Sequence, residues 1–177
     1  MRNIDKIIIH CSATIEGVNV STSTIKRWHV QGRGWSDIGY HYVIGLDGAI
    51  DYGRPISRSG AHTLGHNKSS IGIAYIGGLS ESKRPKDTRT EAQKKALIKI
   101  LKTLTHIYPK ASIHGHRDFS KDLDGDGVEK HEWFKSCPCF EAELEAYELG
   151  LQPKSFKPLS KKTKDKLKTI AGRVLNK

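Results

Sequence analysis

Short apolar runs alternate along this chain with segments of helical periodicity, and this alternation limits the folds that the chain can adopt. Residues 6–10 and 71–76 are each predicted to be a buried strand, and the first of these runs ends in His10. Thr90, with Gln93 three residues later, is predicted to cap a long amphipathic helix. Strands alternating with helices predict an α/β domain in which a central mixed β-sheet is flanked by helices.

The remaining elements are weaker but agree with this class. Asp47 and Gly48 form a turn signal between two short apolar segments, which predicts a hairpin. We expect strands at 40–44, 50–52 and 112–115, helices from Ser21–Ser23 through Gln31 and over 140–149, and a loop at 80–89.

Length and charge divide the chain into a body and a tail. A chain of 177 residues fits a single domain. Residues 151–177 hold nine basic residues against one acid, a balance of +8 out of a total of +11, so residues 1–150 carry only +3. We therefore expect a domain at 1–150 with an insertion at 119–134, and a basic extension at 151–177 that is helical from about 160.

The three cysteines are too few and too odd in number for a disulfide scaffold, which favours a metal-binding or catalytic thiol. The apolar stretch at the start of the chain is too short for a signal peptide, and no stretch approaches the roughly 20 apolar residues of a membrane span. We expect a protein that is made in the cytoplasm, and nothing in the sequence indicates an oligomer.

Two of the nine histidines lie at the ends of predicted strands, where sites in α/β folds gather. His10 ends the first strand and His116 follows the strand at 112–115, while Cys137 precedes a predicted helix. Two imidazoles and one thiolate are an open zinc-ligand set with a fourth position for water. The alternative is a pair of hydrogen-bonded histidines and a buried thiol, since the three residues are far apart in sequence.

Five motifs occur in order along the first 149 residues: HCSAT (10–14), GWSDIGYHY (34–42), GAH with NKSSIG (60–72), GHRD (115–118) and KSCP (135–138). Together they resemble the zinc-dependent N-acetylmuramoyl-L-alanine amidases, in particular the phage lysozyme-type enzymes. The resemblance to peptidoglycan recognition proteins is more distant. It covers roughly residues 4–149 and implies the single-domain fold of those families.

The resemblance also implies roles for individual residues. His10, His116 and Cys137 match the family's zinc ligands, Tyr40 its catalytic tyrosine and Lys135 its active-site lysine. Bound zinc polarises a carbonyl and makes water nucleophilic at neutral pH. Either a hydroxyl or an ammonium group could stabilise the charge that develops on the carbonyl oxygen.

His62 matches a position that lines the family's substrate groove, and Asn67 lies near it, so both are expected to contact substrate. The alternative for His62 is a structural histidine. Cys11 alternates to the strand face opposite His10 and is expected to lie in the core, as is Cys139.

The resemblance implies hydrolysis of the amide bond between N-acetylmuramic acid and L-alanine of peptidoglycan by a zinc-activated water. The lack of a signal peptide fits a phage or prophage endolysin that acts on the cell wall after release, and an exported bacterial enzyme is the alternative. A non-catalytic peptidoglycan-binding module on the same fold is the main rival. No nucleic-acid partner is expected, because the body carries only +3.

The predicted insertion contains Asp122, Asp124 and Asp126 followed by Gly127, which is the opening of an EF-hand-type calcium loop. The pattern then fails, since Trp133 stands where a bidentate Glu is needed. Calcium binding and a solvated Asp/Gly turn both remain open.

The tail has an apolar stripe at helical spacing among its lysines: Leu167, Ile170, Ala171, Val174 and Leu175. Three interpretations compete for it. The stripe packs on the domain; or the basic helix contacts an anionic membrane or wall polymer; or it binds nucleic acid, for which it lacks aromatic residues.

Overall fold

A five-stranded sheet forms the centre of the molecule in the computed structural model, which describes residues 2–175 and the side chains of residues 2–170. The strands are β1 (Lys6–Cys11), β2 (Thr14–Ile15), β3 (Tyr42–Ile44), β4 (Ile50–Tyr52), β5 (Ser70–Tyr75), β6 (Gly78–Leu79) and β7 (Ser112–Gly115). The strand order in the central sheet is β4-β3-β5-β1-β7, with β3 and β4 antiparallel and all other neighbours parallel. The helices are α1 (Thr22–Arg33), α2 (Glu91–Ile107), α3 (Ala142–Glu148) and α4 (Lys161–Leu175).

This arrangement confirms the predicted mixed α/β fold. The capping box at Thr90 and Gln93 is present, and Ser21 caps α1 by accepting from the Thr24 N–H. The hairpin strand predicted from residue 40 begins at Tyr42 instead. The backbone carbonyls of Tyr40 and His41 accept from Arg54 and Gly53, which lie beyond the end of β4, so these two residues leave the regular ladder.

The two faces of the sheet are packed differently. Ile7, Ile9 and Cys11 of β1 lie in the larger core, together with the apolar side of α2. Side chains alternate along a strand, so His10 lies on the opposite face, as predicted. There its neighbours on β5 are small, since His10 pairs with Ala74 and the next position on that face of β5 is Gly72. Small residues on that face leave room for a site.

The sheet edge at β7 is covered by the chain that follows α3. The side chain of Gln152 accepts from the Ile113 N–H at 2.9 Å and donates to the Ile113 carbonyl at 2.7 Å, as a neighbouring strand would. Such pairing protects an edge that could otherwise recruit another strand.

The basic extension runs irregularly to Ser160 and then forms α4 against the insertion. Ala171, Val174 and Leu175 of the predicted stripe lie outside the described side chains, while Leu167 and Ile170 are half-buried. The division of the chain at residue 150 stays a prediction. Within residues 2–175, the structure contains no helix with the length and apolarity needed to cross a membrane.

Candidate metal centre and groove

Three side chains from distant parts of the sequence meet at the carboxyl ends of the parallel strands. His10 lies near the end of β1, His116 directly follows β7, and Cys137 lies in the loop before α3. One ligand atom from each lies within 4.8 Å of the others, and Cys137 Sγ is 3.8 Å from His10 Nδ1. Because β1 and β7 are adjacent and parallel, their last residues are necessarily neighbours.

The loop that carries Cys137 is fixed by two hydrogen bonds, each donated by a backbone N–H group. The Arg117 N–H donates to the Cys137 carbonyl at 2.7 Å, and the Cys11 N–H donates to Cys137 Sγ at 3.2 Å. Together these bonds hold Cys137 Sγ beside the ring of His10.

Both histidines are neutral at pH 7. Burial lowers the pKa of His10 well below its usual value, and the neighbouring histidines and Lys135 lower it further. Burial also lowers the pKa of His116 to about 4, with a smaller contribution from Lys135. Neutral imidazoles offer the lone pairs that a metal requires. Two nitrogens and one thiolate sulfur at this spacing fit a zinc ion with an open fourth position.

Tyr40 lies beside this cluster, with its ring centroid 5.1 Å from that of His10. Burial raises the pKa of the Tyr40 phenol, and the nearby Cys137 adds to the effect. The hydroxyl therefore keeps its proton at neutral pH and can donate a hydrogen bond.

Two adjoining cavities form a groove over the cluster. The inner cavity has a volume of about 220 Å³ and is lined by the three candidate ligands and Tyr40. The outer cavity has a volume of about 560 Å³. Lys135 lines both of them. The lining of the outer cavity contains four basic side chains and, among residues 2–170, no carboxylate; the four are Arg33, Arg117, Lys121 and Lys135. The groove is therefore suited to an anionic ligand.

Both predicted substrate contacts line the outer cavity, but each also has a hydrogen-bonding role within the protein. His62 is only 8% exposed, and its Nδ1 lies 3.1 Å from His10 Nε2. The Asn67 side-chain oxygen accepts from the backbone N–H groups of His62 and Thr63 at 2.8 and 3.0 Å. Substrate contact by either residue stays a prediction.

Arg117 connects the predicted insertion to the site, because it contacts Trp133 of the insertion and lines the outer cavity. Its guanidinium carbon lies 3.9 Å from the ring centroid of Trp133, and its Nη2 lies 2.7 Å from Glu141 Oε1. The residue that breaks the EF-hand pattern thus packs on the arginine of the GHRD motif.

Asp122, Asp124 and Asp126 do come together, with one carboxylate oxygen from each within 4.8 Å of the others. All three are wholly or partly exposed, and Asp126 Oδ2 lies 2.5 Å from Lys161 Nζ of α4. Calcium binding by this turn stays a prediction.

Arg33 and Trp35 of the groove were not predicted from the sequence, and neither was the contact between His62 and His10. Trp35 lies within the GWSDIGYHY motif, which was the available signal for it. Neither strand nor helix periodicity gives any sign of the histidine contact, because His62 lies in the irregular segment between β4 and β5.

The comparisons with known proteins agree with this geometry. The profile of the family described as N-acetylmuramoyl-L-alanine amidase matches residues 1–138, and the chain belongs to this family. It is therefore a peptidoglycan amidase.

Individual relatives point the same way. The endolysin of Escherichia phage T7 is 34% identical over 137 residues, which cover 77% of this chain and 82% of that protein. A Haemophilus influenzae protein of uncharacterised function is 47% identical over 97 residues, covering 54% of this chain and 84% of its own. Among solved structures, the N-acetylmuramoyl-L-alanine amidase LysC from Clostridium intestinale superposes with a TM-score of 0.64. It is 28% identical, and the match covers 84% of this chain and 87% of LysC.

Proposed function

We propose that this amidase is a zinc-dependent endolysin, with His10, His116 and Cys137 as the metal ligands. The observation that carries the proposal is the convergence of these three side chains, whose ligand atoms lie within 4.8 Å of one another. The scissile bond is the amide between the lactyl group of N-acetylmuramic acid and L-alanine. The similarity to the phage T7 endolysin supports action on the cell wall after release.

The neutral Tyr40 hydroxyl and the Lys135 ammonium group act on the carbonyl oxygen of the substrate. When bound, zinc supplies Lewis acidity, which polarises a carbonyl and makes water nucleophilic at neutral pH. Tyr40 donates a hydrogen bond to the oxygen as negative charge develops on it. Lys135, at the mouth of the inner cavity, places a positive charge beside the same oxygen. Donors of this kind typically lower a barrier by about 3–4 kcal/mol.

The electropositive outer cavity holds the muropeptide. Its basic side chains complement the carboxylates of a stem peptide, and His62 and Asn67 line its wall. Residues 151–170 of the extension are a structural part of the enzyme, since four of their lysines (Lys161, Lys162, Lys164 and Lys166) lie near acids of the domain. Lys161 pairs with Asp126 and Glu129, and Lys166 pairs with Glu148.

The test measures the free amino groups of L-alanine that are released from purified peptidoglycan. We expect release by the zinc-loaded enzyme, loss of release on chelation and recovery when zinc is restored. Cys137→Ala is expected to abolish release with and without zinc. Cys139→Ala is the matched control, because its Sγ lies near the Gly78 carbonyl and outside the ligand set, and it should retain activity.

Two results would contradict the proposal. New reducing sugar ends in place of alanine amino groups would identify a glycosidase. Tight binding to peptidoglycan without any release, at full zinc occupancy, would identify the non-catalytic binding module.

A further inference from the structure

We propose that His62 is a positioning residue that orients the ring of His10 for metal binding. The proposal rests on the metal site of the proposed function. It assigns His62 a hydrogen bond to a metal ligand as its main task, in place of the substrate contact that its position in the groove suggests.

The two nitrogens of His10 face different partners. Nδ1 lies toward Cys137, with 3.8 Å between Nδ1 and Sγ, so it is the nitrogen available to a shared metal. Nε2 points the other way and lies 3.1 Å from His62 Nδ1. The two rings are nearly perpendicular, at 82°, with centroids 5.0 Å apart, so the nitrogen of one ring meets the edge of the other.

Metal binding fixes the direction of this hydrogen bond. A neutral imidazole that gives its Nδ1 lone pair to a metal carries its proton on Nε2. His10 Nε2–H then donates to His62 Nδ1, which places the His62 proton on its own Nε2. That nitrogen lies 3.3 Å from Ser70 Oγ, and the Ser70 hydroxyl donates to the His66 carbonyl at 2.8 Å. The chain of donors through Ser70 ends on a backbone oxygen. The Thr63 hydroxyl is a second, more distant neighbour of the same two nitrogens, at 3.2 Å from His62 Nδ1 and 3.5 Å from His10 Nε2.

The surroundings of His62 are shaped to hold its ring in one place. A Cβ atom added at Gly60 would lie 2.4 Å from His62 Cδ2, and one added at Gly72 would lie 2.5 Å from the same atom. Only glycine at these two positions allows the ring to lie between them. The Asn67 side chain in turn accepts from the His62 N–H at 2.8 Å and fixes the backbone.

This arrangement is the pattern by which proteins orient metal-binding histidines. The ligand donates its second N–H to an acceptor, which fixes the tautomer and the ring orientation. In this chain the acceptor is the buried imidazole of His62, whose own Nε2–H faces Ser70 Oγ. Removing such a partner typically weakens metal affinity by about 10–100-fold.

The experiment compares zinc affinity and the cobalt spectrum of the full-length protein and its variants. Zinc affinity is measured by competition with a chromophoric chelator, and the visible absorption of the Co²⁺-loaded protein reports ligand geometry. We expect His62→Ala to weaken zinc binding by about 10–100-fold and to alter the cobalt bands. His62→Gln offers a side-chain oxygen to His10 Nε2–H and should recover most of the affinity. Leu64→Ala is the control, because Leu64 lines the same cavity and is 96% exposed.

Each outcome decides the matter. Wild-type zinc affinity and an unchanged cobalt spectrum in His62→Ala and His62→Gln, with slower turnover in both, would overturn the proposal and assign His62 to substrate. If His62→Ala does not fold, His62→Gln and Gly72→Ala decide together, since an added Cβ at Gly72 displaces the His62 ring. The proposal is supported if zinc affinity stays within about fivefold of wild type in His62→Gln and falls in Gly72→Ala. It is overturned if Gly72→Ala binds zinc as tightly as the wild type. Failure of the wild-type protein to bind zinc would instead refute the proposed function.

Discussion

At the scale of single residues, the proposed hydrolysis depends on the hydroxyl group of Tyr40. Its ring lies 5.1 Å from that of His10, and its raised pKa keeps the group protonated. Tyr40→Phe removes only that donor and leaves the ring packing. We expect kcat to fall about 10²–10³-fold while zinc affinity stays within about twofold, because the proposed role of the hydroxyl is to stabilise the developing negative charge. Release of alanine amino groups and a chelator titration give the two values. An unchanged kcat would remove Tyr40 from the chemistry.

At the scale of elements, α3 and the extension are joined by one buried carboxylate. Glu143 of α3 lies 2.5 Å from His114 Nδ1 and accepts from the N–H groups of Leu159 and Ser160 at 3.0 Å each. These bonds hold the start of α4 against the edge of the sheet. The contacts precede the apolar stripe, so the three interpretations of the basic tail stay predictions.

We expect Glu143→Ala to reduce the free energy of unfolding by about 2–4 kcal/mol, since it leaves buried backbone donors unpaired. It should also accelerate tryptic cleavage in the segment 154–162, because the extension loses its anchor. Urea denaturation and timed proteolysis measure the two effects. Glu148→Ala is the matched control, as Glu148 is exposed and its one ion pair among residues 2–170 is with Lys166 at the surface. Equal cleavage rates in both variants would show that the extension does not depend on this anchor.

At the scale of the whole molecule, buried neutral histidines make stability depend on pH. Burial lowers the pKa of His41 to about 4. The Gly72 N–H donates to its Nδ1 at 2.9 Å, and its Nε2 lies 3.1 Å from the Arg58 carbonyl. The unfolded chain takes up a proton near pH 6.5, whereas the folded chain does so only near pH 4. Between these values the unfolded state binds more protons, so stability falls as the pH falls.

The His41 contribution to this loss is at most about 3–4 kcal/mol, from about 1.4 kcal/mol per pH unit between 6.5 and 4. We expect His41→Asn to be less stable at pH 7.5 and to show a shallower decline toward pH 4.5 than the wild type, both measured on metal-free protein. The same slope in the two proteins would contradict the assignment. His106→Asn is the control, because His106 is exposed at the end of α2.

The sequence predicted the elements and the meeting of His10, His116 and Cys137 better than it predicted the contacts around them. The apolar runs ending at His10 and preceding His116 identified two neighbouring strands, and the parallel sheet then brings their ends together. His62 illustrates what escapes such reasoning. Its contact with His10 depends on the path of an irregular segment of 17 residues (53–69) and on two glycines that make space for one ring. Neither the path of this segment nor the close approach of the two glycines to the His62 ring produces a periodic pattern in the sequence.

The contact between α4 and the insertion was likewise not predicted from the sequence. Charge patterning identified the basic tail and the acidic turn separately, but their meeting at Lys161 and Asp126 depends on where the chain runs after α3. Long-range ion pairs of this kind follow from the tertiary fold, which composition does not determine.

The central claim is that one metal ion is shared by His10, His116 and Cys137. X-ray absorption at the zinc edge of the reconstituted enzyme tests it most directly. We expect one equivalent of zinc, with one sulfur at about 2.3 Å and two imidazole nitrogens at about 2.0–2.1 Å. The sulfur signal should vanish in Cys137→Ala and persist in Cys139→Ala. A zinc shell without sulfur in the wild-type protein would contradict the claim, as would a sulfur signal that survives in Cys137→Ala.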